Sequence, residues 1–225
     1  MKAIKPREHP PAAEPSSLAE QAYVRLEELI ATLALQPGQI VSENGLAQLI
    51  GFGRTPVREA LQQLAREGLV QVAPKLGILI TQMDVRRQLK LIEVRREVER
   101  LIAGSAARYA TDAQRKHFER LAMDMESTAE QNNGELFLVL DREFNRLMLE
   151  SAHNEYASAA MKLTQGLSRR FWFAHYERSA NLATAARLHA AIASAIADAD
   201  VAGARVCLDR LMDNVEAFTR ATINS

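Results

Sequence analysis

The segment Arg54-Thr55-Pro56-Val57-Arg58 follows a glycine-flanked break, Gly51-Phe52-Gly53. Residues four apart lie on one face of a helix, so Arg54 and Arg58 project together, about one turn apart. A guanidinium fork makes two parallel bonds to the O6 and N7 of guanine, or to a phosphate. Thr55 and Arg54 stand where the positive end of the helix dipole favours an anion. Val57, Ala60, Leu61 and Leu64 form the opposite, apolar face. Such a helix can rest on a core and enter the major groove of DNA with its N-terminus leading. Further on, Ala73-Pro74-Lys75-Leu76-Gly77 turns between two short apolar runs. Lys75 and Gly77 at its tip can approach an adjacent phosphate or minor groove.

Several elements must hold these groups. Ser16 or Ser17 is placed to cap a helix from Leu18, with Leu18, Ala22, Leu26 and Ile30 at helical spacing. Pro37-Gly38 ends that segment in a turn. Ile40-Val41 reads as a short extended piece, and Ser42 caps a second helix over about 43–50. The third helix is expected to take Thr55 as N-cap and Pro56 as first helical residue, and to stop at Gly68. Residues 69–72 and 78–80 read as the two strands of a wing.

After Asp84 glycine is sparse and strand signals vanish. Six helices are predicted, at roughly 84–110, 112–131, 134–151, 154–178, 180–198 and 201–222. Thr111 and Gln114 have capping-box spacing, Asn132-Asn133-Gly134 is a break, and Asp200 can cap the last helix. With only 5% aromatic residues in 225 and abundant Ala and Leu, the chain suits helices packed on helices. The expected fold is mainly α: an N-terminal winged helix-turn-helix and a C-terminal all-α antiparallel bundle of six or seven helices. The expected division is a flexible arm over 1–15, a DNA-binding unit over 16–83 and a helical unit over 84–225.

The formal net charge is zero, and residues 1–80 carry eight basic and eight acidic residues. A basic DNA-binding surface must therefore be local, and pairing of two copies must double it. A single cysteine, Cys207, excludes an internal disulfide or a thiolate metal cluster, and its apolar setting reads as core. No apolar run is long enough to span a membrane, and the start lacks a signal core, so a cytoplasmic location is expected.

The run Arg54-Thr55-Pro56-Val57-Arg58-Glu59-Ala60-Leu61, with Leu64 and Glu67-Gly68-Leu69-Val70, resembles the GntR family of transcription regulators. Pro37-Gly38, Ser42-Glu43, Leu46-Ala47 and Gly77 extend the likeness. One departure is Gly53, where the family usually has Ser or Thr; a hydroxyl contact to phosphate is lost there. The second half is similar to the FCD effector domain of the FadR subfamily. That likeness rests on Arg95 and Glu99, on Asp141-Arg142-Glu143-Phe144, on Leu188-His189-Ala190-Ala191-Ile192, and on Asp200 with Ala204-Arg205. The resemblance implies a dimeric regulator, of repressor type, that binds operator double-stranded DNA and responds to a small molecule.

The same resemblance implies a divalent metal held by one Asp and three His. Asp141 and His189 match two of these positions, but Asn145 and Leu211 occupy the others. An amide oxygen and an alkyl group do not replace imidazoles. No metal or other cofactor is therefore expected, and Asp141, Asn145 and His189 are expected to line a polar pocket; Asp141 and His189 remain as weak metal candidates. His117, His153 and His175 match no ligand spacing. Arg95, or its neighbour Arg96, resembles the arginine that relatives aim into the cavity. Arg169 and Arg170 can add a second cation beside Phe171-Trp172-Phe173. Cations among aromatics suit an organic acid. Two other readings compete: a constitutive DNA-binding dimer without effector, and a metal-assisted enzyme, which lacks a nucleophile pair or complete ligand set.

Overall fold

The computed structural model describes residues 17–179 and 182–222, so the expected arm over 1–15 lies outside the described residues. Helix α1 (Leu18–Ala31) opens at Ser17, whose hydroxyl accepts from the Glu20 amide at 3.1 Å. Ala22, Leu26 and Ile30 are buried, whereas Leu18 is 62% exposed and does not join that stripe. Strand β1 (Ile40–Val41) precedes α2 (Glu43–Ile50), which Ser42 caps. Gly51 ends α2 in the left-handed region at φ +72°. The chain then enters α3 (Arg54–Arg66).

The start of α3 differs from expectation. Its N-cap is Gly53, not Thr55, and Pro56 is the third helical residue. Proline needs no amide partner anywhere in the first turn, so it tolerates this register. Glycine offers no side chain as a cap, and the first-turn amides of α3 are left for an outside acceptor.

Strands β2 (Val70–Ala73) and β3 (Gly77–Ile80) form the wing hairpin. Ile40-Val41 is more than an extended piece: β1 pairs antiparallel with β3, giving the order β1-β3-β2. Val41 pairs with Ile78, and Ala73 with Gly77. Gly77 has φ +119°, and a Cβ there would meet the Val41 carbonyl oxygen at 2.6 Å. Glycine is thus required by the sheet itself. Leu26, Ile30, Leu46, Val57, Leu64 and Ile80 fill the core of this head.

The body comprises α4 (Val85–Tyr109), α5 (Asp112–Gln131), α6 (Gly134–Ser151), α7 (Glu155–Lys162), α8 (Gln165–Ser179), α9 (Leu182–Ala197) and α10 (Val201–Ala221). The Thr111–Gln114 capping box forms in both directions. Asn132 at φ +51° ends α5, and Asp200 caps α10. The segment predicted as one helix over 154–178 is two. The Thr164 amide and hydroxyl both donate to the Met161 carbonyl at 2.9 Å, a three-residue turn in place of the four-residue helical step, and the chain bends there. Helix α5 packs along α9, and α4 along α10. Their core gathers Phe118, Leu121, Phe144, Ile192, Ile196 and Leu208, with Phe118 edge-on to Phe144. Cys207 is a free thiol, partly buried against that core. No helix among the described residues is long and apolar enough to cross a membrane.

Head and body meet at α8. Gly166 lets Leu69 approach so closely that a Cβ would lie 2.6 Å from its side chain, and Leu167 packs on the head core. Gly77→Ala should destabilise the head by about 1–3 kcal/mol, since it imposes both a positive φ and a backbone clash. A thermal melt followed by wing-localised hydrogen exchange checks this; wild-type protection of β1 and β3 would refute it.

Candidate DNA-binding face and effector pocket

At the head, Arg54, Thr55 and Arg58 are exposed along the opening turns of α3, while Val57, Ala60, Leu61 and Leu64 are buried beneath them. Arg58 is held by a carboxylate of α2: its Nη2 and Nε donate to the two oxygens of Glu43 at 3.0 and 3.3 Å. That bond, and the charge behind it, raises the guanidinium's affinity for its proton. Glu43 fixes two of the five donors and leaves the remaining ones for an outside acceptor. The pairing of Glu43 with Arg58 was not legible from the sequence, because fifteen positions separate them and only the turn at Gly51 folds α2 back. Lys75 sits at the wing tip, exposed, with φ +66°.

In the body, Arg95, Asp141, Asn145, Arg169 and His189 come together around one cavity of about 70 Å³. A water needs roughly 10–15 Å³ by this measure, so the space admits several waters or a small organic molecule. Aromatic walls come from Phe137, Phe171, Trp172 and Phe218. Phe137 and Phe144 present T-shaped contacts to the His189 ring.

The polar floor is internally bonded. His189 Nε2 lies 3.2 Å from Asp141 Oδ1, and His189 Nδ1 lies 2.8 Å from the Ala185 carbonyl oxygen. Both partners are acceptors, so both contacts are hydrogen bonds only when both ring nitrogens carry protons. Asn145 Nδ2 donates to the same Asp141 oxygen at 3.0 Å and to the Asp141 carbonyl at 2.8 Å. Burial pushes the Asp141 carboxyl up. The His189 bond and charge, with Arg169 and Arg95 nearby, outweigh that and hold it below the ordinary carboxylate range.

This floor does not fit a zinc-type metal. Asn145 turns its amide nitrogen, not its oxygen, towards Asp141, and Leu211 supplies an alkyl wall. Among the described residues no group of three or more His, Cys, Asp or Glu is arranged to hold a metal ion. The space between Asp141 and His189 is closed by their own contact. Of the other histidines, His117 pairs with Glu143 at 2.6 Å, and His153 is exposed in a left-handed turn.

The arginine neighbours separate cleanly. Arg95 lines the cavity and pairs with buried Glu99 one turn on. Arg96 turns outward to Asp209, Asp213 and Glu216 on α10, so it is not the cavity arginine. Arg169 lines the cavity, but Arg170 does not: it donates to the carbonyl and hydroxyl of Thr81 at the end of the wing, at 2.9 and 3.2 Å. Burial without a carboxylate partner lowers its pKa to about 10. Phe173 does not line the cavity.

An exposed helix with two arginines on a small winged head is thus joined to a helical body with a polar-floored cavity. Known proteins share this two-part architecture. The model of the gntR family of bacterial regulatory proteins matches residues 18–80, and that of the FCD domain matches residues 90–214. The chain belongs to the GntR family and carries an FCD domain. A transcriptional regulator in an unstable DNA locus of Streptomyces ambofaciens is 47% identical over 77 residues, covering 34% of this chain and 33% of that protein. The transcriptional repressor RspR of Escherichia coli K12 is 27% identical over 138 residues, covering 61% and 60%. The chain thus spans between a third and two thirds of these curated relatives. Among solved structures, E. coli McbR/YncC shares the fold with a TM-score of 0.76 at 22% identity, covering 92% of this chain and 99% of that one. A GntR regulator of Rhodococcus sp. RHA1 gives 0.65 at 18% identity, covering 90% and 97%. The two curated relatives and the Rhodococcus protein are described as transcription regulators.

Freshly purified protein should contain well below one equivalent of zinc, nickel or manganese, and EDTA should leave its melting temperature unchanged. Stoichiometric, chelator-resistant metal would contradict the closed floor. Because the folded Asp141 carboxyl is held below its ordinary range, its stabilisation is complete above that range and is lost as pH falls through the depressed value. Asp141→Asn should therefore flatten the acid limb of the stability curve; an unchanged limb would show that the pair contributes nothing.

Proposed function

We propose that this chain is a cytoplasmic, homodimeric repressor of transcription whose affinity for operator DNA is set by a small carboxylate bound in the body cavity. The observation that carries the DNA half is the exposure of Arg54, Thr55 and Arg58 on the leading turns of α3, above a fully buried apolar face. Arg58 reads guanine through the donors that Glu43 leaves open, Arg54 and Thr55 hold phosphate with the uncapped helix start, and Lys75 at the wing tip adds a second phosphate contact. Gly77 serves this face indirectly, by keeping the wing hairpin in register. The chain's overall neutrality favours a dimer, in which two such faces add their charge on a palindromic site.

The effector half rests on the cations and aromatics that converge on the cavity, Arg95 and Arg169 beside Phe171 and Trp172. A guanidinium in such surroundings favours a carboxylate. The ligand acts by population shift: it stabilises one placement of the heads and operator DNA another, and a coupling of about 1–3 kcal/mol changes operator affinity roughly 5- to 150-fold.

Two experiments test the two halves separately. Arg58→Ala should cost about 1–3 kcal/mol per half-site, abolishing specific binding to a duplex selected from a random pool while sedimentation still shows the dimer. Wild-type binding would reject the assignment of α3. For the cavity, Arg95 cannot simply be truncated, since Glu99 would be left buried and unpaired. The paired variant Arg95→Met with Glu99→Gln should weaken carboxylate binding at least tenfold by titration calorimetry while keeping the fold. Unaltered affinity would exclude that arginine.

A further inference from the structure

Two arginines and one histidine line the body cavity among the described residues, and each already has a protein carboxylate as partner. Arg95 pairs with Glu99 within α4, and His189 pairs with Asp141 between α9 and α6. Arg169 differs, because its partner comes from the other half of the chain. Its Nη1 donates to both oxygens of Glu27, on α1 of the head, at 2.7 Å. Arg142 Nη2 adds a bond to the same carboxylate at 3.2 Å. Glu27 is only 6% exposed. It is therefore a buried anion whose compensation comes from two body arginines, one of which faces the cavity.

Two further features bear on Arg169. Its Nε is buried without a hydrogen-bond partner, so one donor of its fork is open. Arg169 also lines a second space, a cleft of about 630 Å³ between α1 and α3 of the head and α6 and α8 of the body. A side chain that borders both spaces can turn from one towards the other without repacking a core.

We infer that Arg169 is the element through which the cavity controls the head: a carboxylate bound in the cavity takes the Arg169 guanidinium from Glu27, leaves that head carboxylate buried under Arg142 alone, and so weakens the docking of head on body. This deepens the proposed function and rests on its carboxylate reading. By reciprocity, weakening the hold of Glu27 on Arg169 must strengthen carboxylate binding. A purely structural ion pair would not do so; its loss would leave ligand affinity unchanged or reduce it. Arg142 serves as a positioning residue in this scheme, because it grips Glu27 yet does not border the cavity.

Trp172 is the chain's only tryptophan and lines the cavity, so its emission reports occupancy directly. The full-length protein is titrated with acetate, succinate and benzoate, alongside Glu27→Gln and Arg142→Ala, each checked for folding by circular dichroism. The expected result is a Trp172 response to at least one acid and an affinity at least fivefold tighter in Glu27→Gln, at the low end of the roughly 5- to 150-fold range of allosteric couplings. Arg142→Ala should shift affinity the other way, because Glu27 is then left with no partner once Arg169 is drawn off. Spin labels at Gln71→Cys and Glu119→Cys, on a Cys207→Ser background, should show a broader head-to-body distance when that acid is added. A Trp172 response with equal or weaker affinity in Glu27→Gln overturns the Arg169 coupling while sparing the carboxylate site. No Trp172 response to any of the three acids in any of the three proteins removes the carboxylate site, and the coupling with it.

Discussion

A carboxylate taken out of water must find its compensation inside the protein. Glu27 lies under α8 with the guanidinium groups of Arg169 and Arg142 around it. Removing one partner of such a cluster typically costs about 3–5 kcal/mol, because a charge is left buried and uncompensated. This makes the joint between head and body conditional in a way that an apolar contact would not be. The apolar part of the joint includes Leu69 against Gly166, with Leu167 on the edge of the head core. The pinning of Thr81 by Arg170 adds a second charge-assisted contact from the same helix. Helix α8 is thus both a wall of the cavity and the platform for the head.

The cavity floor illustrates how a polar site closes when metal-binding donors are replaced. A carboxylate, an imidazole and an amide satisfy one another through Asp141, His189 and Asn145, and Ala185 supplies the remaining acceptor. Each of these three groups then has a partner, which is the condition for keeping such a cluster in an apolar bundle. The arrangement also fixes the His189 ring between Phe137 and Phe144. What remains open to a ligand is the side of the cavity bounded by the arginines and the tryptophan.

On the head, Glu43 does for Arg58 what Glu27 does for Arg169: an acidic side chain orients a guanidinium and partly neutralises it. The chain's net charge of zero comes from equal numbers of basic and acidic residues, and it leaves room for a local basic surface at the exposed start of α3, where Arg54 and Arg58 stand. Gly53, which caps that helix with no side chain, leaves the first-turn amides for an anion.

The amino-acid sequence by itself determined the element types and the burial stripes. Capping residues such as Ser17, Ser42, Thr111 and Asp200 act within one turn of their own helices, and Gly51 acts within one bend, so local order is enough to read them. The same holds for Val57, Ala60, Leu61 and Leu64, whose spacing alone puts them on one face. Local order misplaced the start of α3 by two residues, and it missed the break at Thr164, although Gly166 stands only two positions on. The partners of charged side chains were decided only by tertiary structure. Nothing in sequence order distinguishes Arg95 from Arg96, or Arg169 from Arg170. Adjacent residues on a helix point about 100° apart, and what each meets depends on which helix lies opposite. Glu27 and Arg169 are 142 positions apart, and no periodicity carries information over that distance; their meeting is a property of how α8 lies across α1.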